Sequence, residues 1–414
     1  MDMTRRQAMA ALAASGGTAT AAAAQRPRRP RQPAKAYDTL VVGAGVFGAW
    51  TAEKLRRAGQ RVLLIDAVAP AHAKASSGDD SRMTRAAYGG DAIYSRMALD
   101  SLADWKALSA SSGRTLFHDC GVLFFFPSAQ EYAAQTLDVH RRLGLPTVRL
   151  QRRQLARRWP QVDWTGVAFG LYEPGFGALA ARSAVEATVA SFVANGGEYR
   201  RAAARLPLML ADGLTLDTGE RVRAGHFVFA CGPWLPKLFP DVLADRMFIT
   251  RQAVVYFEPP AGETRFAPER FPGWADFNQG DLYYGFPDLD GRGIKIAHDR
   301  HGRLVDPDDN PRIATAAEID DVVTYMRRRF PALAAARVAE ARVCQYENSA
   351  SGDFLVDSHP AYPNVVLVGM GSGHGFKHGP AVGALAADLV LRRGVVEPRF
   401  SLASKTTRQD RAVH

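Results

Sequence analysis

The chain has 414 residues, 47% of them hydrophobic and 23% charged, so it is long enough for two globular domains and too apolar for a disordered polymer. Its formal charge is +10, but seven basic residues against Asp2 fall within the first 35, leaving +4 for the rest. With no nucleic-acid-binding motif beside it, that excess excludes a nucleic-acid surface, and three cysteines (Cys120, Cys231, Cys344) at a spacing that suits no metal exclude a disulfide framework and a metal centre.

Thr4-Arg5-Arg6-Gln7 carries a twin-arginine pattern, residues 8–24 form a mild alanine-rich core, and Ala22-Ala23-Ala24 offers small residues for cleavage. Residues 1–25 are therefore expected to be a signal peptide for the twin-arginine export machinery, and 26–36 a Pro/Arg-rich linker. No stretch is long and apolar enough to span a membrane.

Residues 37–42 are a short aliphatic run that predicts a buried strand, and they enter the G-x-G-x-x-G turn Gly43, Gly45, Gly48. A helix over 49–58 is stopped by Gly59; a second strand, 61–65, ends at Asp66. Each part has a physical job. Gly43 allows the tight turn, Gly45 lets backbone approach a pyrophosphate, and Gly48 lets helix and strand pack closely. The helix N-terminus attracts phosphate, and Asp66 can accept hydrogen bonds from a ribose. Strand, turn, helix and acid together predict a dinucleotide site. They do not separate NAD from FAD.

Residues 67–80 read as a loop, and Ser81–Gly89 then sets Arg82 and Arg85 beside Tyr88, a cationic patch near the cofactor or ordinary surface arginine. A one-faced helix is predicted over 94–108, a strand over 121–126, and a helix over 180–194 that ends in Gly196-Gly197. Strand 223–230 closes on Cys231-Gly232-Pro233-Trp234, a second small-residue turn. In the middle third, 253–257, 282–286 and 293–297 are short strands of an antiparallel sheet, and Thr315–Glu318 is a capping box. The end repeats the opening: strand 364–368, a dense glycine loop through Lys377, and an apolar helix over 380–391. First and last segments are thus expected to share one sheet, with the middle inserted.

The opening fingerprint, Gly78–Gly89, Val343-Cys344-Gln345-Tyr346, Asp353–Asp357 and Gly373-His374-Gly375-Phe376-Lys377 together resemble monomeric sarcosine oxidase and its wider group, the D-amino-acid-oxidase-like flavoproteins, from Tyr37 to about Ser401. The resemblance implies an α/β fold: a Rossmann-like FAD-binding domain (37–90, 180–245 and 339–405) with a second α+β substrate domain built on an antiparallel sheet (91–179 and 246–338). It implies FAD held through a thioether at Cys344; by composition alone Cys344 is an inert buried thiol. Gly43, Gly45, Gly48, Asp66, Ser81, Arg82 and Gly373 are the other cofactor positions. Arg85 and Lys377 match the substrate-carboxylate partners, Tyr346 a substrate-side tyrosine, His374 a residue near the flavin, and Lys295 the lysine that helps reduced flavin react with oxygen. A lysine inside an apolar strand resists the reading of a solvated face, since burying a cation is costly.

Where sarcosine oxidase has a histidine four residues after that lysine, this chain has Asp299, with His298 and His301 beside it; a one-residue slip would put His298 in the role. The function implied is oxidation of a secondary or N-methylated amino acid to an imine, with O2 reduced to H2O2, by an exported monomer. Two rivals stand: a dehydrogenase passing electrons to a quinone or carrier protein, and a non-catalytic flavoprotein. A plain NAD dehydrogenase leaves the Cys344 and Lys377 blocks without a use.

Overall fold

The computed structural model describes residues 37–208, 210, 213–278, 281–300 and 302–407. The expected signal peptide, the linker and His301 lie outside these residues. Two large sheets carry the fold. The first has six strands in the order Leu355–His359, Tyr362–Gly369, Ala224–Phe229, Tyr37–Val42, Val62–Asp66 and Glu198–Arg201. All neighbours are parallel except the first pair. First and last chain segments do share this sheet. In register, Val42 lies beside both Ile65 and Phe229, and Phe229 beside Leu367. The turns that begin at Gly43, Ala230 and Met370 therefore open along one edge, where an open parallel sheet meets its ligands.

One face of the sheet is covered by the helices Val46–Arg57, Gly379–Val390 and Ala181–Ala194, through a core that includes Trp50, Leu64, Val185, Val228 and Val382. The first helix starts at Val46 rather than at 49, so Gly48 lies inside it. Helix Ala92–Ser112, expected in the substrate domain, places Tyr94, Met97 and Trp105 in this same core; Trp105 meets Trp50 edge-on at 5.1 Å.

The second sheet has eight strands: Arg337–Asn348, Phe248–Glu258, Ile294–His298, Asp281–Phe286, Gly273–Asn278, Val122–Phe126, Phe169–Glu173 and Val148–Gln151. Neighbours are antiparallel, save that Gly273–Asn278 runs parallel to Val122–Phe126. Arg337–Asn348 was expected, from 339 on, in the nucleotide-binding part. Instead its backbone pairs with Phe248–Glu258 along its whole length, from Phe248↔Asn348 to Glu258↔Arg337, which makes it an edge of the second sheet.

Helix Ala316–Arg329 packs Val322, Tyr325 and Met326 on the back of this sheet, against Val255, Trp274, Ile294 and Ile296. Its capping box forms: Glu318 N donates to Thr315 Oγ1 at 3.3 Å, and Thr315 N to Glu318 Oε2 at 2.8 Å. Among the described residues no helix is long and apolar enough to cross a membrane.

Candidate active site

The first turn is built by steric necessity. Gly43 sits at φ +101°, and a Cβ there would lie 2.4 Å from Ala230 O; a Cβ on Gly48 would lie 1.8 Å from Gly43 O. Gly45 differs: its Cβ would meet only Ser77 Oγ, at 3.6 Å. Space in front of Gly45 is left for something other than protein. Asp66 ends its strand and accepts from Ala44 N at 2.8 Å, Val68 N at 2.9 Å and Ala69 N at 3.0 Å. A carboxylate has about four lone-pair positions, so one remains for a ligand.

From here a groove of three adjoining cavities runs along the sheet edge. The first, about 360 Å3, is lined by Gly43, Gly45, Asp66, Cys231, Trp234 and Glu347. The second, about 50 Å3, shares Phe47, Ser77 and Glu347 with it and adds Arg82 and Gly371. The third, about 100 Å3, shares Arg82, Tyr346 and Gly373 with the second and reaches Arg85, Asp299, Cys344 and Lys377. The groove fits an extended dinucleotide: an acid at the ribose end, a glycine turn and helix N-terminus where a pyrophosphate belongs, and a walled end beyond.

Strand periodicity decides which residues see the third cavity. Along Ile294–His298, Ile294 and Ile296 face the helix behind the sheet, whereas Lys295 and Asp299 face forward. His298 faces back, its Nδ1 2.8 Å from Asp321 Oδ2. The one-residue slip is thereby corrected: Asp299, not His298, lines the cavity, because one residue along a strand changes faces. Likewise Cys344 and Tyr346 line the third cavity, while Gln345 and Glu347 face the second.

Arg82 is pinned by its own loop: it donates to Asp79 Oδ2 at 2.9 Å and to the carbonyls of Ser81 and Ser76, each at 2.7 Å. Lys295 is buried. It ion-pairs with Asp79 and lies 3.2 Å from Ser81 O and 3.4 Å from Ser81 Oγ. Asp79 also accepts from Tyr256 OH at 2.9 Å. Burial raises the Asp79 carboxyl, but Lys295 and Arg82 outweigh it and hold it far below the usual range. Burial lowers the Lys295 ammonium, against the pull of Asp79.

Across the cavity, Arg85 lays its guanidinium 4.0 Å from the Tyr88 ring centroid and donates to Ala87 O. Lys377 Nζ donates to Tyr88 OH at 2.9 Å and to His374 O at 2.7 Å. Among the described residues neither cation has an ion-pair partner. Burial, and then the like charge of Arg85, push the Lys377 ammonium well below its ordinary value. Two desolvated cations on one tyrosine make a receptor for an anion. On the far side, Tyr284 OH stands 3.4 Å from Tyr346 OH, which reaches Asp299 Oδ1 at 3.5 Å. The cavity therefore carries two cations at one side and a carboxylate at the other.

His374 lines the third cavity, its Nδ1 3.2 Å from Tyr88 OH and Nε2 3.0 Å from Gly352 O. Gly373, at φ +78°, lets that loop approach Tyr346: a Cβ would lie 2.8 Å from the ring. Burial pushes the Cys344 thiol up and Asp79 adds to it, with Arg82 and Lys295 pulling the other way. All thirteen expected positions thus lie along one groove or in direct contact with its lining. Sequence reasoning gave no separate role to Asp79, Glu347 or Tyr284. Asp79 lies inside a motif already singled out, three residues before Arg82; Tyr284 and Glu347 carried no signal beyond strand alternation.

A family model described as FAD dependent oxidoreductase matches residues 38–389. The chain is 31% identical over 370 residues to monomeric sarcosine oxidase of Streptomyces avermitilis, covering 87% of this chain and 95% of that one. It is 29% identical over 373 residues to N-methyl-L-tryptophan oxidase of Salmonella arizonae, covering 88% and 97%. Among solved structures, L-proline dehydrogenase from P. horikoshii superposes with a TM-score of 0.78 at 18% identity, over 90% of this chain and 98% of the other. Glycine oxidase from Geobacillus kaustophilus gives 0.73 at 20%, over 89% and 98%. At those identities the structural matches speak for the fold alone.

Proposed function

The chain belongs to the FAD dependent oxidoreductase family, and on that premise we propose that it oxidises a secondary or N-methylated amino acid to an imine, which water then hydrolyses. FAD-dependent oxidation of an amine or amino acid is the family-level activity; the N-substituted, carboxylated substrate is the finer reading. The observation that carries it is the pair Arg85 and Lys377, which line one cavity, meet at Tyr88 and, among the described residues, have no ion-pair partner. Both relatives named above act, by their names, on N-methylated amino acids.

The chemistry FAD would supply when bound is that of a two-electron acceptor for the hydride on the carbon next to nitrogen. The protein's own share is positioning. Arg85 and Lys377 grip the carboxylate, with the guanidinium offering a two-pronged contact. Asp299 and the hydroxyls of Tyr284 and Tyr346 stand opposite, where they can hold the amine nitrogen. Gly43, Gly45 and Gly48 give the cofactor its turn, and Asp66 and Arg82 bound the two parts of its groove. Cys344 is the thiol for a thioether to the flavin.

The test is anaerobic mixing of the flavin-loaded protein with a panel of N-methyl and cyclic amino acids. Bleaching of the flavin by these, and not by the corresponding primary amines, supports the reading. No bleaching by any of them would sink it.

We place O2 as acceptor, giving H2O2, because Lys295 offers a buried positive charge to an incoming oxygen anion. A second reading is favoured by a specific contact: the Asp79 carboxylate counters that charge, which suits a dehydrogenase passing electrons to a quinone or carrier protein. Mixing the substrate-reduced protein with air separates them, since fast reoxidation with peroxide means an oxidase and slow reoxidation a dehydrogenase. Division into a discontinuous FAD-binding part and a substrate part, and export by the twin-arginine route, belong to the same proposal. Loss of Arg5→Lys/Arg6→Lys protein from the exported fraction would support that route.

A further inference from the structure

Glu347 stands midway along the cofactor groove, and the amine chemistry makes no use of it. It lies on the strand Arg337–Asn348, on the face opposite Cys344 and Tyr346, and lines both the first and the second cavity. Only 7% of it is exposed. Three small-residue turns converge on its carboxyl group. Ser76 Oγ lies 3.3 Å from Oε2, and Gly371 N 3.4 Å from Oε1. A Cβ on Gly232 would come within 2.7 Å of Oε2. Among the described residues it has no ion-pair partner.

A buried acid without a cation is costly as a carboxylate. Here it also borders a groove whose ligand carries two phosphates, and like charges repel at short range. As a neutral carboxylic acid the same group becomes a hydrogen-bond donor. We propose that Glu347 is a cofactor-binding residue that meets FAD in its protonated form and donates a hydrogen bond to an oxygen of the pyrophosphate–ribityl stretch, so that FAD binding is coupled to proton uptake.

Burial pushes the Glu347 carboxyl up to about 7, against the Gly371 N–H and the Ser76 hydroxyl. The other charged or titratable groups lining these two cavities are Asp66, His72, Lys74, Cys231 and Asp308 in the first and Arg82 and Tyr346 in the second. The sign follows by linkage. The bound state holds the proton, so affinity is highest below pH 7 and falls by up to about tenfold per pH unit above it. The inference rests on FAD being the cofactor and is indifferent to the substrate.

The experiment uses the full chain carrying Cys344→Ser, so that FAD exchanges reversibly. The apoprotein is titrated with FAD by fluorescence quenching between about pH 5.5 and 8.5, and by calorimetry in buffers of different ionisation heat. The expected result is a Kd that climbs above pH 7 with uptake of up to one proton. Glu347→Gln, which keeps a neutral hydrogen-bonding group, should retain the low-pH affinity and lose both the slope and the uptake. An unchanged slope in Glu347→Gln overturns the proposal, as does a slope that vanishes with His72→Gln instead. If Glu347→Gln fails to fold, infrared difference spectra of the Glu347 chain with and without FAD decide: gain of a protonated carboxyl band supports the proposal, and its absence overturns it. Failure of FAD to bind at any pH would overturn it together with the cofactor assignment.

Discussion

The ammonium of Lys295 touches the carboxylate of Asp79 across 216 residues of sequence, and both side chains are almost fully buried. The contact joins the second sheet to the loop before Ser81–Thr84, between the two cofactor-facing layers of the site. Removing Asp79 leaves the Lys295 charge buried without a counter-charge, at a cost of about 3–5 kcal/mol, whereas removing Lys295 leaves Asp79 with Arg82 at 2.9 Å and Arg342 at 3.5 Å. Asp79→Asn should lower stability by that order, Lys295→Met by less, and the double variant by less than the sum, as denaturant midpoints would show. Because the folded Asp79 carboxyl lies below its unfolded value, its contribution is complete above about pH 4 and declines as pH falls further. The gap between the parent and Asp79→Asn should therefore narrow in acid. A gap that widens below pH 4 would mean the pair does not stabilise the fold. With Lys295 uncountered in Asp79→Asn, reoxidation by O2 should also quicken.

Arg85 and Lys377 share Tyr88, so each is held for an anion that the protein does not provide. Truncating one member of a buried charge contact costs about 2–5 kcal/mol. Arg85→Met should raise KM for a carboxylated amine by roughly 30-fold or more, with little change for its methyl ester. Lys377 adds a pH dependence. Its ammonium is destabilised before substrate arrives, so carboxylate binding should weaken as pH rises through the free-protein value, and Lys377→Met should remove that dependence. Equal losses for acid and ester, measured by anaerobic flavin reduction, would show that no carboxylate sits there.

Much of this was legible in the chain because it is written locally. The glycine turn, the strand before it and Asp66 fall within thirty residues, and each has a steric or hydrogen-bonding reason that the structure repeats. The alternation along Ile294–His298 would have settled His298 against Asp299, since Lys295 and Asp299 share a parity. Partners distant in sequence left no such trace. Nothing local says that Arg337–Asn348 pairs with Phe248–Glu258, so the sheet that carries Cys344 is not legible in its neighbouring residues. Nor does a sequence reveal that Asp79 receives Lys295, or that Glu347 lacks a cation, because both are statements about what the fold brings near.

Cys344 borders the third cavity together with Arg82 and Tyr346, within a groove that begins at Asp66. Its thiol is raised by burial, so covalent attachment requires the bound cofactor, or Arg82 and Lys295 acting with it, to draw the proton away. The expected outcome is simple to read. Acid-denatured parent protein should give a yellow pellet, and Cys344→Ser a colourless pellet under a yellow supernatant. Flavin released from the parent would remove the thioether from the reading while leaving FAD itself in place.

Gly45 and Gly48 separate architecture from ligand binding. They stand three residues apart in one turn, yet a methyl group on Gly48 would lie 1.8 Å from Gly43 O, and one on Gly45 would meet only Ser77 Oγ at 3.6 Å. Gly45 also has an ordinary φ of −71°, so alanine there is unstrained. Gly48→Ala should force the helix Val46–Arg57 off its strand, at about 1–3 kcal/mol or more, and lower the melting temperature of the apoprotein. Gly45→Ala should leave that melting temperature within about 1 kcal/mol equivalent of the parent and instead weaken FAD binding, because the added methyl projects into the groove. Melting curves and FAD titrations on the two variants, both in the Cys344→Ser chain, make the comparison. An FAD affinity untouched by Gly45→Ala would mean that the pyrophosphate does not pass this turn.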